Sequence, residues 1–350
     1  MYDVIIIGGG PSGITLAFSL LQSNFSVCVI EKSRFPRDKL CGGLLTRKAV
    51  DLYTDVFGKD IFDEIPYQKT DKIVVHTGIK KCAVYRKRRN PFLIVNRRLF
   101  DASLVRRFKN AGGKIKEEER ECQIDYGTKT ILTGDGSILG YRYLVGADGV
   151  YSVTRKYVDP YYKPNGICLQ VHHIGGIEAF CPLSIHLYYG LLDIGYGWLF
   201  PQKDGFLIGA ISQVHSKDIK AGYAAVLDQS GIKSNHSPKA MHIPFGRYVK
   251  TPMRNEVYLI GDAAGFVNPI SGEGLYYAAL SAKLACHDIV NRLKRKNYIS
   301  CYCRRVKQIQ WGIRAFTLLR KWFYNDQIRK IWFGIIWKKS RRPLMQTPDK

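Results

Sequence analysis

Apolar positions along the chain fall into three patterns, and each predicts a different element. Val4-Ile5-Ile6-Ile7 is a short, fully apolar, β-branched run, which suits a central strand of a parallel sheet buried on both faces. Ser26–Ile30 and Val257-Tyr258-Leu259-Ile260 also read as buried strands. Between the first two, Ile14–Leu21 has helical character, and Leu275–Arg292, rich in alanine, leucine and lysine, predicts a long helix. Residues 66–95 and 166–250 differ. They carry alternating, aromatic segments such as Ile185-His186-Leu187-Tyr188-Tyr189 and Gly205-Phe206-Leu207-Ile208-Gly209, the pattern of a mostly antiparallel sheet. The third pattern is amphipathic. Residues 311–337 set Trp311, Ala315, Leu318, Leu319 and Trp322 on one helical face, then Ile328, Ile331, Trp332, Ile335 and Ile336 on another, with Arg and Lys between.

Two of the buried runs end in glycine. Gly8-Gly9-Gly10-Pro11-Ser12-Gly13 follows Ile7, and Gly8, Gly10 and Gly13 fill the GxGxxG spacing. The first glycine permits the tight turn, the second lets a pyrophosphate approach the backbone, and the third lets helix and strand pack closely. Free N–H groups at the helix start would face the phosphates. The second strand ends at Glu31, about 20 residues beyond the turn, where a ribose hydroxyl is recognised. This βαβ unit fits NAD or FAD. Gly261-Asp262-Ala263-Ala264-Gly265, about 250 residues later, ends the Val257 run. Together the two turns read as the ends of one flavin site, the first for the pyrophosphate and the second for the ribityl chain. Asp262 alone would read as a helix N-cap.

Composition bounds the rest. A chain of 350 residues holds one large or two medium domains. No basic, apolar and cleavable leader is read at the N-terminus, and no apolar stretch approaches the roughly 20 residues of a membrane span. The nine cysteines are scattered, with no CxxC pair to mark a metal site, so no metal is expected and a cytoplasmic location is. The net charge of +25 is uneven: residues 291–350 hold 17 Lys or Arg against two Asp, and four of the five tryptophans, Trp311, Trp322, Trp332 and Trp337. A basic, aromatic tail points to an anionic surface, expected here to be the inner face of a membrane. No nucleic acid is expected, because no nucleic-acid fold accompanies the charge.

With these turns, the stretch Phe35-Pro36-Arg37-Asp38-Lys39-Leu40-Cys41-Gly42-Gly43 completes a resemblance to the geranylgeranyl reductase family. That family belongs to the wider group similar to para-hydroxybenzoate hydroxylase, and the short length and basic tail look like its smaller bacterial members. The resemblance covers roughly residues 1–290. It implies an α/β fold: a Rossmann-like FAD-binding domain at 1–65, 96–165 and 251–290, interleaved with a mostly antiparallel substrate sheet at 66–95 and 166–250. A basic helical region at 291–350 follows. Carried over by motif, Gly8, Gly10 and Gly13 hold the pyrophosphate and Glu31 the ribose. Cys41 and Gly42 lie beside the flavin ring, and Arg97 reaches toward the phosphates and ribityl chain. Glu121 falls where a strand backbone meets the adenine. Gly146-Ala147-Asp148-Gly149, with Ser152 and Arg155, matches a GADGxxSxxR element. Asp262 accepts a ribityl hydroxyl, and Gly274 and Leu275 offer backbone N–H groups to the ring.

Tyr196-Gly197-Trp198-Leu199-Phe200-Pro201 fits the YxWxFP of the reductases, where flavin halogenases carry WxWxIP. Two departures from the reductase pattern stand out: Gln202 in place of a lysine, and Gly209-Ala210-Ile211 without the second glycine of a GxG. The implied reaction is saturation of C=C bonds in a prenyl-chain lipid by hydride from reduced flavin. Cys41, Tyr196 and Trp198 are the expected catalytic residues, with Tyr188, Tyr189 and Phe200 as further aromatic wall. NAD(P)H, ferredoxin or a quinone-linked donor would supply electrons. The alternatives are a flavin monooxygenase or halogenase of aromatic substrates, and a membrane-associated flavoprotein that carries electrons.

Overall fold

Strand Tyr2–Ile7 forms at the apolar N-terminal run and lies in the middle of a parallel sheet, with Val4, Ile5 and Ile6 fully buried. The computed structural model describes residues 1–77, 82–86, 91–175, 183–214, 218–233, 236–325 and 327–328. Across the sheet the parallel order is Val257–Leu259, Ile138–Gly146, Tyr2–Ile7, Val27–Ile30 and Lys114–Lys116. Gly146 sits opposite both Ile7 and Leu259. In-register strand ends bring three distant turns, after residues 7, 146 and 259, to one edge. The carboxyl edge of such a sheet is where ligands bind. Met253–Arg254 adds an antiparallel edge, and Gln123–Asp125 and Thr130–Leu132 form a flap on Ile138–Gly146.

The helices are α1 (Pro11–Gln22), α2 (Arg47–Phe57), α3 (Arg97–Asn110), α4 (Thr154–Val158), α5 (Ile219–Ser230), α6 (Leu275–Lys294), α7 (Tyr302–Arg305) and α8 (Lys307–Tyr324). Helices α1, α3 and α6 cover one face of the parallel sheet, and their apolar residues join Val4, Ile6 and Val29 in one core. The structure starts α1 at Pro11, three residues before the apolar pattern does, because proline is preorganised for the first helical position. Asp288 of α6 is fully buried but paired: its carboxylate accepts from the Tyr258 and Ser300 hydroxyls and the Cys301 N–H. This bond set fixes the chain where it leaves α6 for α7.

A second sheet has the order Lys239–Ile243, Gly166–Ile174, Gly205–Gln213, Gly195–Pro201, Ile185–Tyr189, Lys72–Thr77 and Cys82–Arg86. All neighbours pair antiparallel except Ile185–Tyr189 with Lys72–Thr77. Its outer face packs Leu169, Leu199, Ile208 and Ala210 against Tyr223 and Val226 of α5. Its inner face carries Cys168, Tyr196, Trp198, Phe200 and Ile211. A small sheet, with Phe92–Val95 between Leu44–Leu45 and Tyr67–Thr70, joins the layers. The chain crosses between layers repeatedly, so the Rossmann-like unit and the antiparallel sheet are interleaved, with a helical region after α6.

Candidate functional site

Gly8 has φ +106, a backbone that side chains rarely adopt, and a Cβ there would lie 2.4 Å from the Ala147 carbonyl oxygen. A Cβ on Gly13 would lie 2.0 Å from the Gly8 oxygen. Turn and helix therefore touch with no room for a side chain. Gly10 differs: within 4 Å its Cβ would meet only the Arg37 guanidinium, at 3.6 Å. One face of the turn is thus open to a ligand and roofed by a cation. Glu31 sits where the sequence expects it. Its carboxylate accepts the N–H of Gly9 at 2.8 Å and of Ser33 at 3.1 Å.

Arg37 was not singled out by the sequence reading and is the largest addition. It lies over the Phe35 ring with its guanidinium carbon 4.8 Å from the centroid, its Nε 3.6 Å from a Glu31 oxygen and its Nη1 3.2 Å from an Asp101 oxygen. Its Nη2 is the atom that faces the open Gly10 turn. A cation six residues after the ribose acid, in a loop that must face a diphosphate, was the available signal. Arg97 lines a cavity beside Cys41. It is buried and bidentate to Asp101, with bonds of 2.8 and 3.0 Å. Burial opposes its charge, but the Asp101 carboxylate and the adjoining Cys41 outweigh that and hold its pKa above the ordinary value. It thus braces the Cys41 loop, with Asp101 shared by two arginines.

At the far turn, Gly261–Ala263 forms one turn of 3-10 helix. Arg155 ties it down by donating to the Ala263 carbonyl at 3.1 Å and also bonds the Val150 carbonyl. The Asp262 carboxylate lies 3.4 Å from the Cβ position of Gly274, the N-cap of α6. Leu275, the first residue of α6, is buried, and its carbonyl accepts from the Tyr53 hydroxyl. Asp262, Gly274 and Leu275 are therefore neighbours at a helix start, a place that favours negative charge. Asp148 is packed beneath, accepting from the Val153 and Thr154 N–H groups, and burial pushes its carboxyl pKa up.

The inner face of the second sheet closes the site. Tyr196, Trp198 and Phe200 line up along one strand with ring centroids about 6 Å apart. A Cβ on Gly42 would lie 2.5 Å from the Phe200 ring and 3.7 Å from Trp198 Nε1, so the Cys-Gly-Gly loop and the aromatic strand are in direct contact. The Tyr196 hydroxyl donates to the Ser271 carbonyl at 2.5 Å, joining the wall to the loop before Gly274. Burial raises its pKa well above the ordinary value, so it stays neutral. Trp198 Nε1 is buried with no acceptor. Tyr189, Phe323 and Tyr324 extend the wall toward α8.

The other end of the same face is polar. A cavity of about 520 Å³ is lined by Lys39, Cys41, Arg98, Gln170, Gln202 and Lys239, among others. Gln170 and Gln202 are 6% and 4% exposed, and each leaves one amide atom without a partner. The Lys39 ammonium contacts the Met241 sulfur at 3.3 Å, and burial pulls its pKa down.

Two expectations need correction. Tyr188 faces the outer layer, where it stacks on His76 at 4.3 Å, and is no part of the wall. Glu121 is exposed and in no strand; the backbone beside Glu31 is that of Lys116 and Glu119. Arg97 pairs with Asp101 and lines the same cavity as Cys41. The structure brings Cys41, Gly42, Trp198 and Phe200 together, joins Tyr196 to the Gly274 loop, and sets Gly8, Gly10, Gly13 and Glu31 at the opposite end. Ile331, Trp332, Ile335, Ile336 and Trp337 lie outside the described residues. Among the described residues no cluster fits a metal ion, and no helix is long and apolar enough to cross a membrane.

An FAD fits this donor set. The open Gly10 turn under the Arg37 guanidinium suits a diphosphate, Glu31 a ribose, and the Gly274 helix start an electron-rich ring edge. Comparison with known proteins agrees. The FAD binding domain model matches residues 1–175, and a tryptophan halogenase model matches residues 192–335. The geranylgeranyl diphosphate reductase of Rhodobacter capsulatus is 25% identical over 352 residues, covering 94% of this chain and 86% of its own. A geranylgeranyl bacteriochlorophyll reductase-like structure from Thermoplasma acidophilum superposes with TM-score 0.79 at 17% identity, covering 99% of this chain and 93% of that one. The myxobacterial chondrochloren halogenase superposes with TM-score 0.73 at 18% identity, covering 99% and 92%. The two structures share the fold.

Proposed function

Because this chain belongs to the FAD binding domain family, we propose that it is an FAD-dependent reductase that saturates C=C bonds of a prenyl chain attached to a polar head. The observation that carries the reading is the divided inner face: aromatic at Tyr189, Tyr196, Trp198 and Phe200, polar at Lys39, Gln170 and Gln202. Cys41 lies at the join. An isolated trisubstituted alkene is not polarised, so it needs a proton at its less substituted carbon and support for the tertiary cation that develops. Aromatic faces give that support without bonding to the cation. Bound FAD, once reduced by the electron donor, would supply the two electrons as hydride.

The chain's own residues divide the work. Trp198 and Phe200 exclude water and present ring faces. Tyr196, held neutral and committed to Ser271, orients the wall rather than giving up its proton. Cys41 Sγ, which accepts the Gly43 N–H at 3.4 Å, is the atom placed to hold or relay the proton. Gln170, Gln202 and Lys39 receive the polar head. NAD(P)H or ferredoxin is the electron donor in this reading.

Lipid mass spectrometry from cells with and without the protein tests it. A gain of two mass units per saturated bond supports the reductase, and identical lipid profiles overturn it. Cys41→Ala and Cys41→Ser should both keep the yellow cofactor and lose about 100-fold in alkene reduction; full turnover by both removes Cys41 from the chemistry. The halogenase match over residues 192–335 favours a second reading, oxidation of an aromatic substrate. It requires NAD(P)H-driven oxygen consumption, and Tyr196 and Phe200 stand where the halogenase pattern has Trp and Ile.

A further inference from the structure

Helix α8 is apolar on two opposite sides. Its body-facing side buries Ile309 and Ile313 in the core and is tied down by polar bonds: Gln310 donates to the Val249 and Lys250 carbonyls, Thr317 to the Gly246 carbonyl, Arg320 to the Phe245 carbonyl and the Tyr324 hydroxyl to the Ile270 carbonyl. The opposite side faces solvent. Trp311 is 71% exposed, Leu318 69%, Leu319 55% and Trp322 68%. With Ala315 these fall at i, i+4, i+7, i+8 and i+11, a single stripe along the helix. A helix packed on one side normally turns polar residues to solvent on the other, and contiguous exposed apolar surface marks a contact site.

The charge identifies the partner. Residues 289–325 hold ten Lys or Arg and no Asp or Glu. Among these, Arg304, Arg305, Lys307, Arg314 and Lys321 are exposed on or just before α8. Tryptophans at the two ends of a stripe, with cations beside it, match the interface between acyl chains and anionic headgroups. We propose that α8 docks this protein on an anionic bilayer, lying in the plane of the interface with Trp311 and Trp322 in the headgroup-acyl boundary. The same helix turns Phe323 and Tyr324 inward onto Tyr189, so the docked surface adjoins the aromatic wall.

Flotation of the FAD-loaded full chain tests this. Vesicles of equal parts phosphatidylglycerol and phosphatidylcholine should carry the protein, and phosphatidylcholine alone should carry about tenfold less. The variant Trp311→Ser/Leu318→Ser/Trp322→Ser should lose about tenfold in flotation, while its flavin absorbance and melting temperature, the controls for folding, stay at wild-type values. Equal flotation by wild type and variant overturns the proposal. So does a wild-type dimer that the variant converts to monomer without any lipid binding, which would make the stripe a contact between copies. Flotation reads lipid contact alone, so a failure of prenyl reduction leaves its result standing.

Discussion

The glycine turn at residues 8–13 and the aromatic wall at residues 196–200 stand at opposite ends of one site and are built on opposite terms. In the turn, backbone meets backbone: Gly13 against the Gly8 oxygen, Gly8 against Ala147. In the wall, side chain meets side chain: Phe200 against the space above Gly42, Trp198 between Tyr196 and Phe200. A backbone contact tolerates one residue type. A side-chain contact tolerates any pair of complementary volumes. The first end of the site should therefore be brittle and the second adjustable.

The sharpest way to break that contrast is at Gly13. Gly13→Ala forces a Cβ to 2.0 Å from the Gly8 oxygen, and FAD affinity should fall by about 100-fold or more, read by flavin absorbance after gel filtration. No second substitution nearby should restore it. Gly42→Ala puts a Cβ 2.5 Å from the Phe200 ring. It should keep the cofactor and lower kcat/KM by about tenfold, and adding Phe200→Leu should recover most of the loss. Failure of that rescue would place the wall among the brittle parts. Glu31→Gln keeps the shape but removes the charge that accepts the Gly9 N–H, and FAD should bind about tenfold more weakly by titration.

The smallest effect lies away from both ends. His186 shares a 3.0 Å bond with His76, and burial first, then His76 and Lys72, push its pKa down to about 4. The unfolded chain takes up that proton near the usual histidine pKa, so stability falls as pH drops from about 6.5 toward 4. His186→Gln should flatten the melting temperature over that range, and an unchanged pH profile would remove the pair from the acid response.

What could be read in the sequence follows the same division. Val4–Ile7, Gly8, Gly13 and Glu31 are dictated by strand burial and turn geometry, and they stand where the pattern puts them. The Asp262 turn meets the Gly8–Gly13 turn, where a Cβ on Gly261 would lie 2.9 Å from Ser12 Oγ, because both strands end at one edge, a pairing that parallel strand order makes legible. Tyr188 was misread although the period-2 rule contained the answer: Tyr188 and Tyr189 must point to opposite faces, and Tyr189 is the inner one. Arg37 and Asp101 escaped because their roles arise from a four-residue ion network of Glu31, Arg37, Arg97 and Asp101, in which Arg37 and Asp101 lie 64 positions apart. The Gln170 and Gln202 amides are polar positions within a buried sheet face, and only the folded packing shows that they share a cavity.

The strand Val257–Leu259 has a consequence in time. It is the last of the parallel strands to be made, and it carries Asp262 toward turns whose residues were made some 110 and 250 positions earlier. On the ribosome, the nascent polypeptide cannot grip both ends of a dinucleotide until the start of α6 has emerged from the exit tunnel. Pairing at such separations is slow, because loop closure comes before any reward. Cofactor capture therefore waits until the start of α6 is free to fold. A stalled chain ending before residue 255 should stay colourless however much FAD surrounds it.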